Sequence, residues 1–351
     1  MNIPYFSIII PVFNAETYIK NAIENILSQT EEDWELIIVN DASKDMTKSI
    51  CDYYANLDSR IQVINLPENG GVANARNIGL SKAKGTYLGW VDVDDYIEID
   101  LLSNAKKILS SYHPQLLKFS AVEEYYSDSN NIVWSKKLQL KDKYIDVVDN
   151  LRMSVIAMEE IPLFGYVWNG FYSRKYVIEN NIRFNTAYTV NEDFAFNIEV
   201  AKNLKTMYSS SFIGYHYAKR INNSLSTSYQ RDYYSLHLMK VQLLIDVFKS
   251  WNLYIDDIKG KIFWMYCRYT FSYYEREYIN NNDKFIHVWE IVHSNPLFSE
   301  FKNIDLTTYK IKQKMLVSIL RLDKPLLLRS VIWFISKIKT NFPIIFAKVK
   351  R

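Results

Sequence analysis

Cysteine is nearly absent from this 351-residue chain. Cys51 and Cys267 are the only two, too far apart in sequence for a disulfide framework or metal-ligand spacing, which points to a reducing compartment. The opening Met1-Asn2-Ile3-Pro4 lacks the basic start and small-residue cleavage site of a signal peptide, and it runs straight into a β-like stretch. Long apolar runs are missing too. Pro325 to Ile335 is the best candidate, but it is short and broken by Arg329, so it cannot span a bilayer. Four of the five histidines, His113, His237, His287 and His293, fall into no constellation.

What is present describes a folded chain. Hydrophobic residues make up 48% and aromatic residues 15%, with 27 tyrosines, enough for a core and contrary to disorder. The length suits two domains, or one large domain with an appendage. The net charge of +3 hides an asymmetry. From Ile311 to Arg351 there are ten Lys and Arg against the single acid Asp323, a net of +9, so the remainder carries −6. Those basic residues interleave with large aliphatic and aromatic ones, a pattern that predicts contact with an anionic membrane surface rather than nucleic acid. A helical appendage with a solvated basic face is the plainer alternative.

Taken in order, the first hundred residues alternate strand and helix four times. Tyr5–Val12, Trp34–Val39, Ile61–Leu66 and Tyr87–Val91 read as short, apolar, buried strands. Helices are expected up to about Gln29, from about Met46 to Ala55, and from Val72 to Ala83. Such alternation predicts an α/β fold with a mostly parallel, doubly wound sheet and right-handed crossovers. The fourth strand delivers Asp92, Asp94 and Asp95 to its C-terminal end, the edge where open α/β sheets bind ligands. So many carboxylates repel one another unless a hard cation or a hydrogen-bonded ligand offsets them. A second acidic pair, Glu192-Asp193, opens a helix with Phe194, Ile198 and Ala201 on one face. Beyond Tyr229 the reading is helical, with Leu236, Met239, Leu243, Val247 and Trp251 at helical intervals, then loop-like from Asn280 to Leu306.

Several ordered motifs together carry a family resemblance. They are Ser7-Ile-Ile-Ile-Pro-Val-Phe-Asn14, Ser28-Gln-Thr30, Glu35-Leu-Ile-Ile-Val-Asn-Asp-Ala-Ser-Lys-Asp45, Asn69-Gly-Gly71 with Ala75-Arg-Asn-Ile-Gly-Leu80, and Asp92-Val-Asp-Asp95. In order and spacing they resemble the nucleotide-binding half of family 2 glycosyltransferases of the bacterial surface-polysaccharide and lipopolysaccharide type. The resemblance resumes at Trp168–Tyr172, Asn191–Phe196 and Tyr215–Ser226. It implies a GT-A fold, a Rossmann-like sheet joined to an acceptor-binding half, with a glycosyltransferase domain over 1–225. Within it, 1–100 would bind nucleotide and 101–225 acceptor, followed by a helical region over 226–351 with its basic tail at 311–351.

The same resemblance assigns roles. Pro11, Val12 and Phe13 would line a base pocket, and Asp41 would accept a uracil imide N–H, although Ala42 stands where the family has Gly. Arg76 would brace the acidic loop or approach phosphate. Asp94 would hold Mg²⁺ or Mn²⁺, Asp92 the ribose or the metal's water shell, and His216 is a candidate third ligand. Asp193 would be the general base, with Glu192 as the alternative or as an acceptor-orienting group. Trp168 and Asn169 would form a sugar floor, and Lys219 or Arg220 would meet the diphosphate. The activity implied is inverting transfer of a hexose or N-acetylhexosamine from a UDP-sugar to a surface glycan (lipopolysaccharide, capsule or lipid-linked), at the cytoplasmic face of a membrane. Each residue also has a plainer role: Phe13 and Trp168 as core aromatics, Asp41 as a helix cap, His216 as structural. For the whole chain the rivals are a nucleotidyltransferase, disfavoured because no Gly-rich, Arg-containing loop follows strand one, and a catalytically silent glycan-binding or assembly protein.

Overall fold

The computed structural model describes residues 3–127, 131–220, 233–280, 284–302, 304–307 and 309–341. It divides into two compact units, Met1–Tyr229 and Gln230–Arg351. The first opens with β1 (Phe6–Val12), α1 (Ile19–Leu27), β2 (Trp34–Asn40), α2 (Thr47–Leu57), β3 (Ile61–Asn65), α3 (Val72–Lys82) and β4 (Tyr87–Trp90). It continues with β5 (Tyr96–Ile97), α4 (Leu101–Tyr112), β6 (Leu116–Tyr126), β7 (Ile132–Leu138), β8 (Lys143–Ile145), α5 (Val148–Glu160), β9 (Gly170–Ser173), α6 (Arg174–Glu179), α7 (Glu192–Lys202) and β10 (Met207–Arg220).

These strands form one sheet in the order β3-β2-β1-β4-β9-β6-β10-β5, with β7 added on β6 and β8 on β10. The four strands foreseen from the sequence are parallel to one another. β6 and β10 are also parallel over a long register, while β9 joins the two halves by antiparallel pairs. Most paired residues are therefore parallel, as the alternation of elements required. β1 and β2 are buried almost throughout, which is why they read as unbroken apolar runs. After β3 the chain returns to the other side of β1. The C-terminal ends of β1 and β4 thus flank the point where strand order reverses, the usual ligand crevice of open α/β sheets.

Close packing of α3 on β1 fixes the helix that matters most below. A Cβ at Gly79 would lie 2.5 Å from Cγ2 of the fully buried Ile9, so only glycine admits this approach.

The second unit contains α8 (Tyr233–Ser250), α9 (Asp256–Asn280), α10 (Phe285–Ser294), α11 (Pro296–Lys302), α12 (Ile311–Leu320) and α13 (Pro325–Asn341). The loop expected between Asn280 and Leu306 is instead largely α10 and α11. Phe285, Val288 and Val292 at helical spacing, then Leu297, Phe298 and Phe301, are buried; the polar residues between them hid a short amphipathic period. In α8 the buried stripe is Val241, Leu244, Ile245 and Phe248, with Val247; of the residues expected on it, only Val247 in the helix and Trp251 beyond its end are buried. No helix among the described residues is long and apolar enough to cross a membrane.

Gly79→Ala should lower stability by about 1–3 kcal/mol through overpacking against Ile9. Denaturant unfolding would read this, and an unchanged midpoint would show that α3 can lift off β1 without cost.

Candidate active site

The centre of the site is Arg76 on α3, only 3% exposed. Its Nη1 donates to Glu192 Oε1 at 2.8 Å and to Asp193 Oδ1 at 2.5 Å, and its Nη2 donates to Asp92 Oδ1 at 3.0 Å. One guanidinium therefore gathers carboxylates from the turn after β4 and from the first turn of α7. Burial alone would discharge Arg76, but Asp193, Asp92 and Glu192 outweigh it and hold its pKa above the ordinary value. Asp193 pays the opposite way: burial chiefly, then Glu192 and Asp92, raise its pKa well above the usual carboxylate range despite Arg76.

The Asp92–Asp95 segment is a tight turn closed by Asp95 N–H donating to Asp92 C=O at 3.1 Å. Asp95 is buried and ties this turn to β10. It accepts from the Tyr215 hydroxyl at 2.8 Å and from Ala218 N–H at 2.7 Å, while Tyr215 Oη accepts from Asp92 N–H at 3.0 Å. Its role as a structural anchor follows from these bonds. Asp94, at the outer corner, is the most exposed acid here, 41% for its side chain. Burial and the neighbouring Asp92 raise its pKa, with Arg220 opposing. Arg220 Nη1 donates to Asp94 C=O at 2.8 Å and lies 3.4 Å from Oδ2. Lys219 points elsewhere, to Glu123 Oε1 at 2.6 Å; alternation along β10 thus decides between the two cations in favour of Arg220.

At the end of β1, Pro11 and Val12 are buried and Phe13 is 48% exposed, open to stacking. Its loop is laced to the one after β2: Asn14 N–H donates to Ser43 Oγ, Lys44 N–H to Asn14 Oδ1, and Met46 N–H to Glu16 Oε2. Ala42 sits there at φ +60°, a left-handed conformation in which glycine costs less. Asp41 is engaged by its own fold. Its two oxygens accept Gly70 N–H and Gly71 N–H, each at 2.8 Å. Gly71, at φ +83°, caps α3, so Asp41 positions the helix that carries Arg76 roughly 7 Å further along. What remains for a base is a second lone pair on each oxygen.

Two expectations require correction. Trp168 is 2% exposed, stacked between Tyr166 (4.6 Å) and Tyr215 (4.3 Å), and Asn169 is fully buried, donating to Phe119 C=O and Leu163 C=O. Neither presents a face to a sugar; both hold the segment whose Val167 N–H reaches Asp193 Oδ2 at 3.4 Å. His216 does not face Asp94. Its Nδ1 is 2.8 Å from Glu124 Oε1 and its Nε2 is 2.7 Å from Glu98 Oε1, with the ring stacked on Tyr96, so both nitrogens are engaged away from the acidic turn.

Lys118 was not foreseen. On β6, fully buried, its Nζ donates to Tyr166 C=O, Asn169 Oδ1 and Tyr172 Oη. Tyr172 donates on to Asn197, one turn after Asp193 on α7. Burial lowers the pKa of Lys118 to about 7. An isolated lysine in an apolar strand carries no motif, and only the fold brings it beneath the acidic helix.

With this geometry in hand, the chain can be set against known proteins. Glycosyl transferase family 2 matches residues 7–154. These residues form a glycosyl transferase family 2 domain. EpsJ, an uncharacterized glycosyltransferase of Bacillus subtilis (strain 168), is 31% identical over 196 residues, 56% of each chain. GgaB of the same organism, a minor teichoic acid biosynthesis protein, is 37% identical over 113 residues, 32% of this chain and 13% of its own. The chain thus spans about half of EpsJ and far less of GgaB. S. aureus TarS 1–349, solved in complex with UDP-GlcNAc, superposes with a TM-score of 0.63 over 95% of this chain and 91% of its own, at 19% identity; at that identity the likeness is one of fold.

The raised pKa of Asp193 sets a stability test. An acid whose folded pKa lies above its unfolded value, about 3.9, costs nothing below the unfolded value, costs progressively more as pH rises from there, and costs its full amount above the folded value. Asp193→Asn leaves Arg76 two carboxylates. It should raise the melting temperature at pH 8, the gain shrinking as pH falls toward 4. A drop at pH 8, or a gain independent of pH, would contradict the assignment.

Proposed function

We propose that the chain is an inverting, divalent-metal-dependent hexosyltransferase, moving a hexose or N-acetylhexosamine from a UDP-sugar to a hydroxyl of a growing bacterial surface glycan. The observation that carries this reading is the convergence of Asp92, Glu192 and Asp193 on one buried guanidinium beside the exposed Asp94. GgaB, a relative over the matched domain, is named for teichoic acid biosynthesis, and a neighbour of the same fold holds UDP-GlcNAc.

In this mechanism the acceptor hydroxyl attacks the anomeric carbon and its proton passes to Asp193. The bond from that carbon to the diphosphate breaks, and its electron pair leaves with UDP. Burial makes Asp193 a stronger base than a solvated carboxylate. Arg76 holds its Oδ1, and Oδ2, which accepts the Val167 N–H at 3.4 Å, keeps a lone pair for the proton. Glu192 orients the acceptor, Phe13 stacks on the base, and Arg220 meets the diphosphate.

A hard divalent cation fits the donor set. Asp92, Asp94, Asp95, Glu192 and Asp193 set five carboxylates against the two guanidiniums of Arg76 and Arg220. A diphosphate would add further negative charge. Among the described residues no group of three or more His, Cys, Asp and Glu is placed to hold a metal ion by itself, and Mg²⁺ commonly takes one or two carboxylates plus phosphate oxygens and water. Mg²⁺ or Mn²⁺ would be held by Asp94, with Asp92 beside it, and would supply charge neutralisation for the departing diphosphate.

UDP release from a panel of UDP-sugars with Mn²⁺ tests the reading. Asp94→Ala should reduce it at least about 100-fold; undiminished release would remove Asp94 from the chemistry.

A second element of the proposal is attachment to the inner face of the cytoplasmic membrane. On α13, Leu328 and Ile332 are buried, whereas Leu326, Leu327, Trp333 and Phe334 are exposed on an arc of roughly 120°. Lys324 and Lys337 are exposed beside them. An apolar arc flanked by cations suits an anionic interface. The full chain should float with vesicles containing phosphatidylglycerol, and a Leu326→Ser/Trp333→Ser/Phe334→Ser variant should float several-fold less. Equal flotation of the two would refute membrane attachment through α13.

A further inference from the structure

We propose that the sheet face formed by β10, β6 and β7 is a track for a pyranose-based acceptor chain, leading from Asp193 to the exposed edge of β7. The inference deepens the transferase reading and rests on it for the word acceptor.

The track begins one residue from the base. Val167 N–H reaches Asp193, and the neighbouring Tyr166 ring lies 5.6 Å from Tyr217 of β10. Register then fixes the rest. Tyr217 pairs with Glu123 and Lys219 with Tyr125 across β10 and β6, and Tyr125 pairs with Trp134 across β6 and β7. Paired residues share a face, so Tyr217, Tyr125 and Trp134 lie on one side of three adjacent strands, a span of about 10 Å. Lys219 Nζ lies over the rings of both Tyr217 and Tyr125, 5.3 Å from each centroid, and it pairs with Glu123. Tyr125 and Trp134 are 4.6 Å apart.

Exposure rises along this line. Trp168 is buried, Tyr166, Tyr217 and Tyr125 are half-buried, and Trp134 is 49% exposed. Six of the seven residues of β7 are exposed, Ile132 and Val133 among them, and its only strand partner among the described residues is β6. Such an edge invites aggregation unless it is used or charged; Lys136 and Lys137 charge its far half, while Ile132, Val133 and Trp134 leave the near half apolar. Ring faces spaced along a strip, with a carboxylate and an ammonium beside them, suit sugar rings: apolar C–H faces stack on the aromatics and hydroxyls bond the polar pair. Glu123 carries the one carboxylate of the strip, bonded to Lys219 and paired in register with the exposed Lys136 of β7, so polar groups for sugar hydroxyls flank the rings on both sides.

Chitopentaose and poly(glycerol phosphate) are the probes, with the full chain and its Trp134→Ala and Tyr125→Leu variants. Saturation-transfer NMR should show chitopentaose bound by the wild type and weakened about fivefold or more in each variant, with acceptor-free UDP release unchanged within about twofold. The proposal is overturned if the wild type does not bind chitopentaose, if both variants bind it equally well, or if poly(glycerol phosphate) is preferred. It is also overturned if both variants lose UDP release and melting temperature together, since the two residues would then be structural. Chitopentaose binding that depends on Trp134, without turnover of any UDP-sugar, would sustain the track and defeat the transferase reading instead.

Discussion

Everything in the site depends on one buried guanidinium. Arg76 lies on a helix pressed against β1, and it is the point at which two segments a hundred residues apart meet: the turn after β4 and the start of α7. Removing the arginine would leave buried carboxylates without a counter-charge, a loss that typically costs about 3–5 kcal/mol. The planar fork of arginine, which can serve several oxygens at once, is what lets one residue bind three carboxylates. A lysine there would supply charge without that geometry. The same dependence extends backward, because the helix starts where Asp41 grips the N–H groups of Gly70 and Gly71.

The acidic turn is held from the other side by β10. Asp95 and Tyr215 lock it to that strand, which carries Arg220 at its end. Asp95 therefore does not compete with Asp94 for a ligand. It spends its two oxygens on fixing the turn, and Asp94 is left at the exposed corner. Within one four-residue stretch, burial separates three chemically identical side chains into a pair for Arg76, a corner carboxylate and an anchor.

Much of this was legible in the sequence, for a physical reason. Buried parallel strands are short apolar runs, and the residues at their C-terminal ends face the crevice by topology, so the placement of Phe13 and the 92–95 turn followed from pattern alone. The glycines and Arg76 were legible through motif spacing. Trp168, Asn169 and His216 were misread because residue type shows what a side chain can do but not which way it faces. An indole suits a sugar equally well as a core, and only the Tyr166 and Tyr215 rings on its two sides decide between them. Lys118 was invisible because its partners, Tyr166, Asn169 and Tyr172, lie about fifty residues downstream on other elements. The helices after Asn280 were missed because short amphipathic periods drown among polar neighbours.

The charge balance around Arg76 explains why such a cluster persists at all. A core chosen for stability alone would not keep five carboxylates against two guanidiniums, and burial first, then neighbouring carboxylates, raise the pKa of Asp94, Asp95 and Asp193. Protons are one remedy for that repulsion; a bound cation is another. On the proposed reading the two would act differently, because a proton on Asp193 would remove the base, whereas a cation beside Asp92 would offset one of the charges that, after burial, raise the pKa of Asp193. On that reading, donor binding with its cation would favour an ionised Asp193 just when a hydroxyl must be deprotonated, so that the repulsion held in the fold would help to switch the base on.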